Sequence, residues 1–146
     1  MKLVGTYADF DRFIILHDSF TPKAFLSGDA RRAFYRSFKS LEKFLFDHEH
    51  TKKIQDMQKR IDSFTTSFTE ELRNDPERKK VQDDLNKEIV TMNELKDEII
   101  IEHEFDDFAW DSFKKAFELE GETIYPKAKS LAIIEDWIAK VDEDNK

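Results

Sequence analysis

Three of the four histidines stand among carboxylates: Asp47-His48-Glu49-His50, and Glu102-His103-Glu104 followed by Asp106 and Asp107. Asp47 and His50 are three apart, as are His103 and Asp106, and on a helix such pairs share a face. Imidazole and carboxylate at that spacing ligate divalent metals in helical bundles. A di-metal centre, however, asks for two Glu-x-x-His motifs and two further glutamates turned into the bundle interior. Here the residues fall near the ends of predicted helices, among other charges. Helix caps and surface ion pairs are therefore the expected role, and no metal is predicted.

The fourth histidine, His17, follows Arg12 in an R-x4-H spacing. This resembles the short motif of HEPN-family ribonucleases, which are small all-α proteins. The resemblance implies that Arg12 and His17 would act on an RNA phosphodiester, usually across a dimer. It covers six residues. The motif here lies on the first helix rather than deeper in the domain, and Phe13 stands where a polar residue commonly follows the arginine. His17 also falls on the apolar face of its helix, where a histidine serves as a core-edge residue bonded to a neighbour. That second reading is preferred.

Two charged surfaces offer binding rather than reaction. Arg32, Arg36, Lys39 and Lys43 recur at helical spacing, and Lys52, Lys53, Lys59 and Arg60 extend the series. Such a stripe can follow a phosphate backbone; it is also what the solvated side of an amphipathic helix looks like. The segment from Glu94 to Glu122 holds 11 acids against 3 bases, including Glu102, Glu104, Asp106 and Asp107, with Phe105, Phe108, Trp110, Phe113 and Phe117 interleaved. It could dock on a basic partner or form a solvated face over a core.

The elements that must position these residues are helices. From Asp29 to Glu120 the chain has no glycine and a single proline, Pro76, and those two residues are the main interrupters of helix. A first helix is expected over 7–17, with Thr6 as N-cap, Asp9 completing a capping box, and Phe10, Phe13, Ile14 and His17 on one face. After a loop over 18–28, onto which Phe20, Phe25 and Leu26 fold, a second helix begins near Asp29. Ser27 or Asp29 caps it, Phe34, Phe38, Leu41 and Leu45 form its apolar stripe, and a break follows in 47–51. Helix three (51–73) carries Ile54, Met57, Ile61, Phe64, Phe68 and Leu72; helix four (76–101) carries Val81, Leu85, Ile89, Met92, Leu95 and Ile99. With Asn74-Asp75-Pro76 as the turn, the two form a long antiparallel hairpin of about 35 Å. Glu88, inside the fourth stripe, requires a rim position or a basic partner. A fifth helix spans 106–119, buried on more than one side and ended by Gly121. Pro126 opens a sixth, which reaches Val141, with 142–146 as a frayed tail. Ile99-Ile100-Ile101 is β-prone, but it ends a helical pattern, and no strand is predicted.

The bulk composition narrows the function. A chain of 146 residues is the size of one domain. It has no cysteine, which excludes disulfides, thiolate zinc sites and cysteine nucleophiles. It also lacks a Gly-rich phosphate loop, G-x-S-x-G, H-E-x-x-H and an EF-hand loop, so no cofactor is expected. No apolar run is of membrane-spanning length, and the start has no signal-peptide stretch; a cytoplasmic protein without membrane contact is expected. The net charge of −8 conceals +4 over residues 1–60 and −12 over 61–146, a polarity that can pair internally or face two partners.

The reading adopted is a single all-α domain, a bundle of five to six helices built on the 51–73 and 76–101 hairpin. It would be a non-enzymatic binding, adaptor or regulatory protein acting on a protein partner, with a homodimer also open. Its candidate binding residues are Arg32, Arg36, Lys39, Lys43, Glu102, Glu104, Asp106 and Asp107. The alternatives are a nucleic-acid-binding module using the basic stripe and a HEPN-like ribonuclease using Arg12 and His17.

Overall fold

The computed structural model describes residues 1–17, 19–21, 24–25, 27–67 and 77–146, with the backbone alone at 17, 66 and 67. The order is β1 (Lys2–Thr6), α1 (Tyr7–His17), α2 (Gly28–Phe46), α3 (Thr51–Ser67), α4 (Arg78–Glu98), β2 (Ile100–Glu104), α5 (Asp107–Ile124) and α6 (Ala128–Asp144). Among the described residues the protein is an all-α bundle of six helices with one small sheet.

Local sequence rules set most helix starts. The Thr6 hydroxyl accepts from the Asp9 amide at 3.1 Å, while Asp9 accepts from the Thr6 amide at 2.9 Å, a closed capping box for α1. Ser27 caps α2 by accepting from the Ala30 amide, and Asp106 caps α5 by accepting from the Ala109 amide. Thr51, at the start of α3, is buried; its hydroxyl donates to the Leu45 carbonyl, so the Tyr7 hydroxyl donates to it at 3.1 Å. That chain of bonds fixes the α2–α3 corner against the start of α1.

The absence of strands is corrected. β1 and β2 pair antiparallel, with Leu3 opposite His103 and Gly5 opposite Ile101. The isoleucine run leaves the helix: α4 stops at Glu98, Ile99 is extended, and residues 100–104 form β2. Three β-branched residues in a row suit a pleated strand better than a helix, and a partner strand far away in sequence completes the ladder. The outward edge of β1 is filled by side chains. Asn145 accepts from the Lys2 amide and donates to the Lys2 carbonyl, and the Trp137 indole donates to the Val4 carbonyl at 3.1 Å. The tail over 142–146 therefore does not fray as expected: α6 continues to Asp144, and Asn145 is bonded across β1. The exposed residues Ile100, Glu102 and Glu104 alternate along β2, and the two glutamates place charge on an edge strand, a common guard against further pairing.

One contiguous apolar cluster runs through every helix. Phe13 of α1 is its hub, fully buried, with ring contacts to Phe34, Phe38, Phe105, Trp110, Phe113 and Trp137 at 4.7–6.3 Å. Leu16, not Ile14, is the fully buried aliphatic residue of α1. α3 packs on α4 through Ile54, Met57, Ile61, Leu85 and Met92, and Glu88 meets Arg60 at 2.7 Å, the basic partner it required. The expected 68–73 continuation and the turn over 74–76 lie outside the described residues, as do Pro22 and Leu26 of the first loop. Phe20 and Phe25 of that loop pack on the cluster, and Thr21 is held by Glu120 through its amide and hydroxyl.

Gly121 does not end α5. The helix runs to Ile124 with Gly121 buried inside it, and the Phe117 ring lies 3.2 Å from where a side chain would begin. This glycine permits close packing rather than a chain reversal. Phe108 and Leu119 are exposed on the outer side of α5.

Candidate functional site

Arg12 sits on α1 with its guanidinium 2.7 Å from Asp9, the carboxylate that also closes the capping box. Its Nε is buried without a hydrogen-bond partner among the described residues. The side chain of His17 lies outside the described residues. Burial raises the hydroxyl pKa of Tyr125, and the Arg12 charge opposes that rise.

The basic stripe occupies the exposed side of α2, opposite buried Phe34, Phe38, Leu41 and Leu45. Arg32 is paired with Asp29, and Lys39 stands 3.6 Å from Glu42 and 5.6 Å over the Tyr35 ring. Arg36 and Lys43 are exposed. Arg31, Arg32, Tyr35 and Arg36 border a hollow of about 230 Å³.

The four acidic candidates are partly engaged at the junction of β2 and α5. Glu102 faces Lys2 at 3.6 Å, and Asp106 is the α5 cap. The Met1 amino group lies 2.9 Å from Asp107 and 3.9 Å from Glu104, and donates to the Phe105 carbonyl. The bond to Asp107 raises the pKa of that amino group. These contacts join the first residues of the chain to the start of α5.

The three histidines among carboxylates come together through a phenylalanine. Phe44 lies against His103 at 4.7 Å and His48 at 6.3 Å between ring centres, and His48 is 5.5 Å from His50. The His48 Nδ1 accepts from the His50 amide at 3.3 Å. Among the described residues no three of His, Asp or Glu are arranged to hold a metal ion.

Burial against Phe44 lowers the pKa of His103, and neighbouring Glu104 opposes the shift. The folded chain thus binds fewer protons at this ring than the unfolded chain does, so stability rises with pH. The contribution is full above about pH 6.5, the ordinary histidine value, and is lost as pH falls through the lowered folded value. In thermal melts between neutral and mildly acidic pH, the midpoint of His103→Gln is expected to fall less than that of the parent chain. Equal falls would show that the ring does not titrate this way.

A further concavity lies elsewhere, between α5 and α6. It is an open trough of about 670 Å³. Phe117, Leu131, Ile138 and Ala139 form its floor, and charged side chains of both helices form its rim. One end is closed by Asp142, which accepts from the Trp110 indole at 2.8 Å and pairs with Lys114 at 3.1 Å. Lys114 also stands 3.6 Å from Asp111. Sequence reasoning had Glu118 and Glu122 inside the acidic segment but missed the α6 wall. Leu131 and Ile138 share a stripe with Ile134 and Trp137; the latter two are buried, whereas Leu131 and Ile138 are covered only in part.

Among the described residues no helix is long and apolar enough to cross a membrane. The chain matches no family model, no curated protein and no solved structure.

Proposed function

We propose that this chain is a non-enzymatic binding module, an adaptor or regulatory subunit, that engages a protein partner through the trough between α5 and α6. The observation that carries this reading is the trough itself: buried Phe117 and half-covered Leu131 and Ile138 line it beneath a charged rim. Apolar residues rimmed by polar ones in a groove are a recurring feature of protein-binding surfaces. A catalytic reading draws less support, because Arg12, the arginine of the R-x4-H pair, is already engaged by Asp9. A chain free of cysteine suits a reducing cytoplasm.

A second reading, nucleic-acid binding along α2, is favoured by one feature. Tyr35 is half-exposed among Arg31, Arg32 and Arg36, with Lys39 over its ring. An aromatic ring framed by cations is a platform on which a base can stack. Asp29 and Glu42 offset two of those cations, which is why this reading ranks second.

The two readings separate in cells. The tagged chain, its Ala139→Trp variant and its Arg32→Glu/Arg36→Glu variant are each recovered, and their bound material is compared. The first reading expects a nuclease-resistant protein partner lost from Ala139→Trp and kept by the α2 variant. Nuclease-sensitive material lost only from the α2 variant would overturn it in favour of the second.

A further inference from the structure

We infer that the α5–α6 trough receives a basic amphipathic helix of the partner protein; this rests on the protein-binding reading above. The trough is built as a helix seat. On α5 its lining runs from Asp111 to Glu122, and on α6 from Leu131 to Asp142. Eleven residues of helical rise give about 16 Å, or about three turns of a docked helix. Along that length the partly exposed Leu131 and Ile138 and the exposed Ala139 lie over buried Phe117, a strip that apolar side chains at i, i+3, i+4 and i+7 of an amphipathic helix can meet.

Charge selects which helix. At the closed end Lys114 is neutralised between Asp111 and Asp142. Over the open length the rim holds Glu118, Glu122 and Glu135 against a single cation, Lys115. These three glutamates make no ion pair among the described residues. A partner helix with lysine or arginine flanking its apolar face would supply their counter-charges, giving orientation and a fast, salt-sensitive encounter. Nucleic acid and anionic lipid are repelled by the same rim. A small molecule would stay largely exposed here, whereas small-molecule sites enclose most of their ligand.

A second copy fits less well than a foreign helix. The basic helix of this chain, α2, buries its own apolar stripe, and its outer basic side offers Tyr35 as the ring to place on the floor.

The probe is a pair of designed helical peptides of about 18 residues, one with leucine and lysine on opposite faces and one with leucine and glutamate. Binding is read by fluorescence anisotropy, and location by backbone amide shifts of the whole chain. The Leu/Lys peptide is expected to bind, moving amides of α5 and α6 along the trough, and the Leu/Glu peptide to fail. Filling the floor with Ala139→Trp, at an exposed position, is expected to weaken binding at least about tenfold. Glu118→Lys/Glu135→Lys, which leaves the floor intact, is expected to do the same, each tenfold corresponding to 1.4 kcal/mol. Circular dichroism melts confirm that both variants remain folded. Shifts on another surface, indifference to both variants, or equal binding of both peptides would overturn the inference. So would self-association abolished by Ala139→Trp, which would name a second copy as the occupant. If a cellular partner depends on Ala139 while the Leu/Lys peptide does not bind, the helix inference falls and the protein-binding reading stands. Loss of both removes the reading as well.

Discussion

Phe13→Ala is expected to remove about 3–5 kcal/mol of folding stability, the cost of deleting a fully buried phenylalanine. Phe13 is fully buried, and its ring touches Phe34, Phe38, Phe105, Trp110, Phe113 and Trp137. Those partners come from α2, the β2–α5 junction, α5 and α6, so one cavity would loosen four parts of the core at once. Edge-to-face geometry with Phe113 at 4.7 Å adds a term beyond burial. Against a typical total of about 5–15 kcal/mol, the variant would be marginal, with a thermal midpoint lower by roughly 10–15 °C. Phe13→Leu, which keeps most of the volume, is expected to lose well under half as much. Chemical denaturation of the three forms measures this. A loss below about 1 kcal/mol for the alanine variant would place the centre of the core elsewhere.

Gly5→Val is the second large effect. A Cβ at position 5 would stand 2.6 Å from the Trp137 indole nitrogen and 3.1 Å from Asp9 atoms. Neither neighbour has room to yield: Trp137 is buried and donates to the Val4 carbonyl, and Asp9 holds both Thr6 and Arg12. Overpacking of this kind costs about 1–3 kcal/mol, and more when backbone must move. The displaced element is α6, one wall of the trough. The variant is therefore expected to lower the melting midpoint, shift the tryptophan emission and weaken trough binding together. An unchanged midpoint and spectrum would mean that β1 and α6 do not approach this closely.

The helical part of this architecture was legible because its signals are local. The stripes Phe34–Phe38–Leu41–Leu45 and Ile54–Met57–Ile61 are written at helical spacing and are buried as written. The Thr6–Asp9 box and the Ser27 and Asp106 caps are satisfied within three residues. The sheet was not legible. Each strand is five residues long, and its partner lies across most of the chain, so the ladder depends on a pairing that periodicity cannot see. Gly121 misled for a related reason. Its role is set by the Phe117 ring against it, a packing fact, whereas sequence rules read glycine as a helix stop.

The candidate site was legible in part. The acidic segment pointed to α5, and Glu118 and Glu122 are on the trough rim. Glu102, Glu104, Asp106 and Asp107 share that composition but meet Lys2, Met1 and a helix terminus. Sequence does not separate an acid that caps a helix from one that faces a groove. The α6 wall stayed hidden because Leu131 and Ile138 share a helical stripe with buried Ile134 and Trp137. In the structure both are covered only in part.

On the proposed reading the trough, and not the basic side of α2, meets the partner. Site-specific photocrosslinking in cells tests it most directly, with the crosslinker placed at Ala139 in one form and at Arg36 in another. A discrete protein adduct is expected from position 139, suppressed by Glu118→Lys/Glu135→Lys, and none of comparable yield from position 36. Adducts from position 36 alone, whether to protein or to nucleic acid, would contradict it.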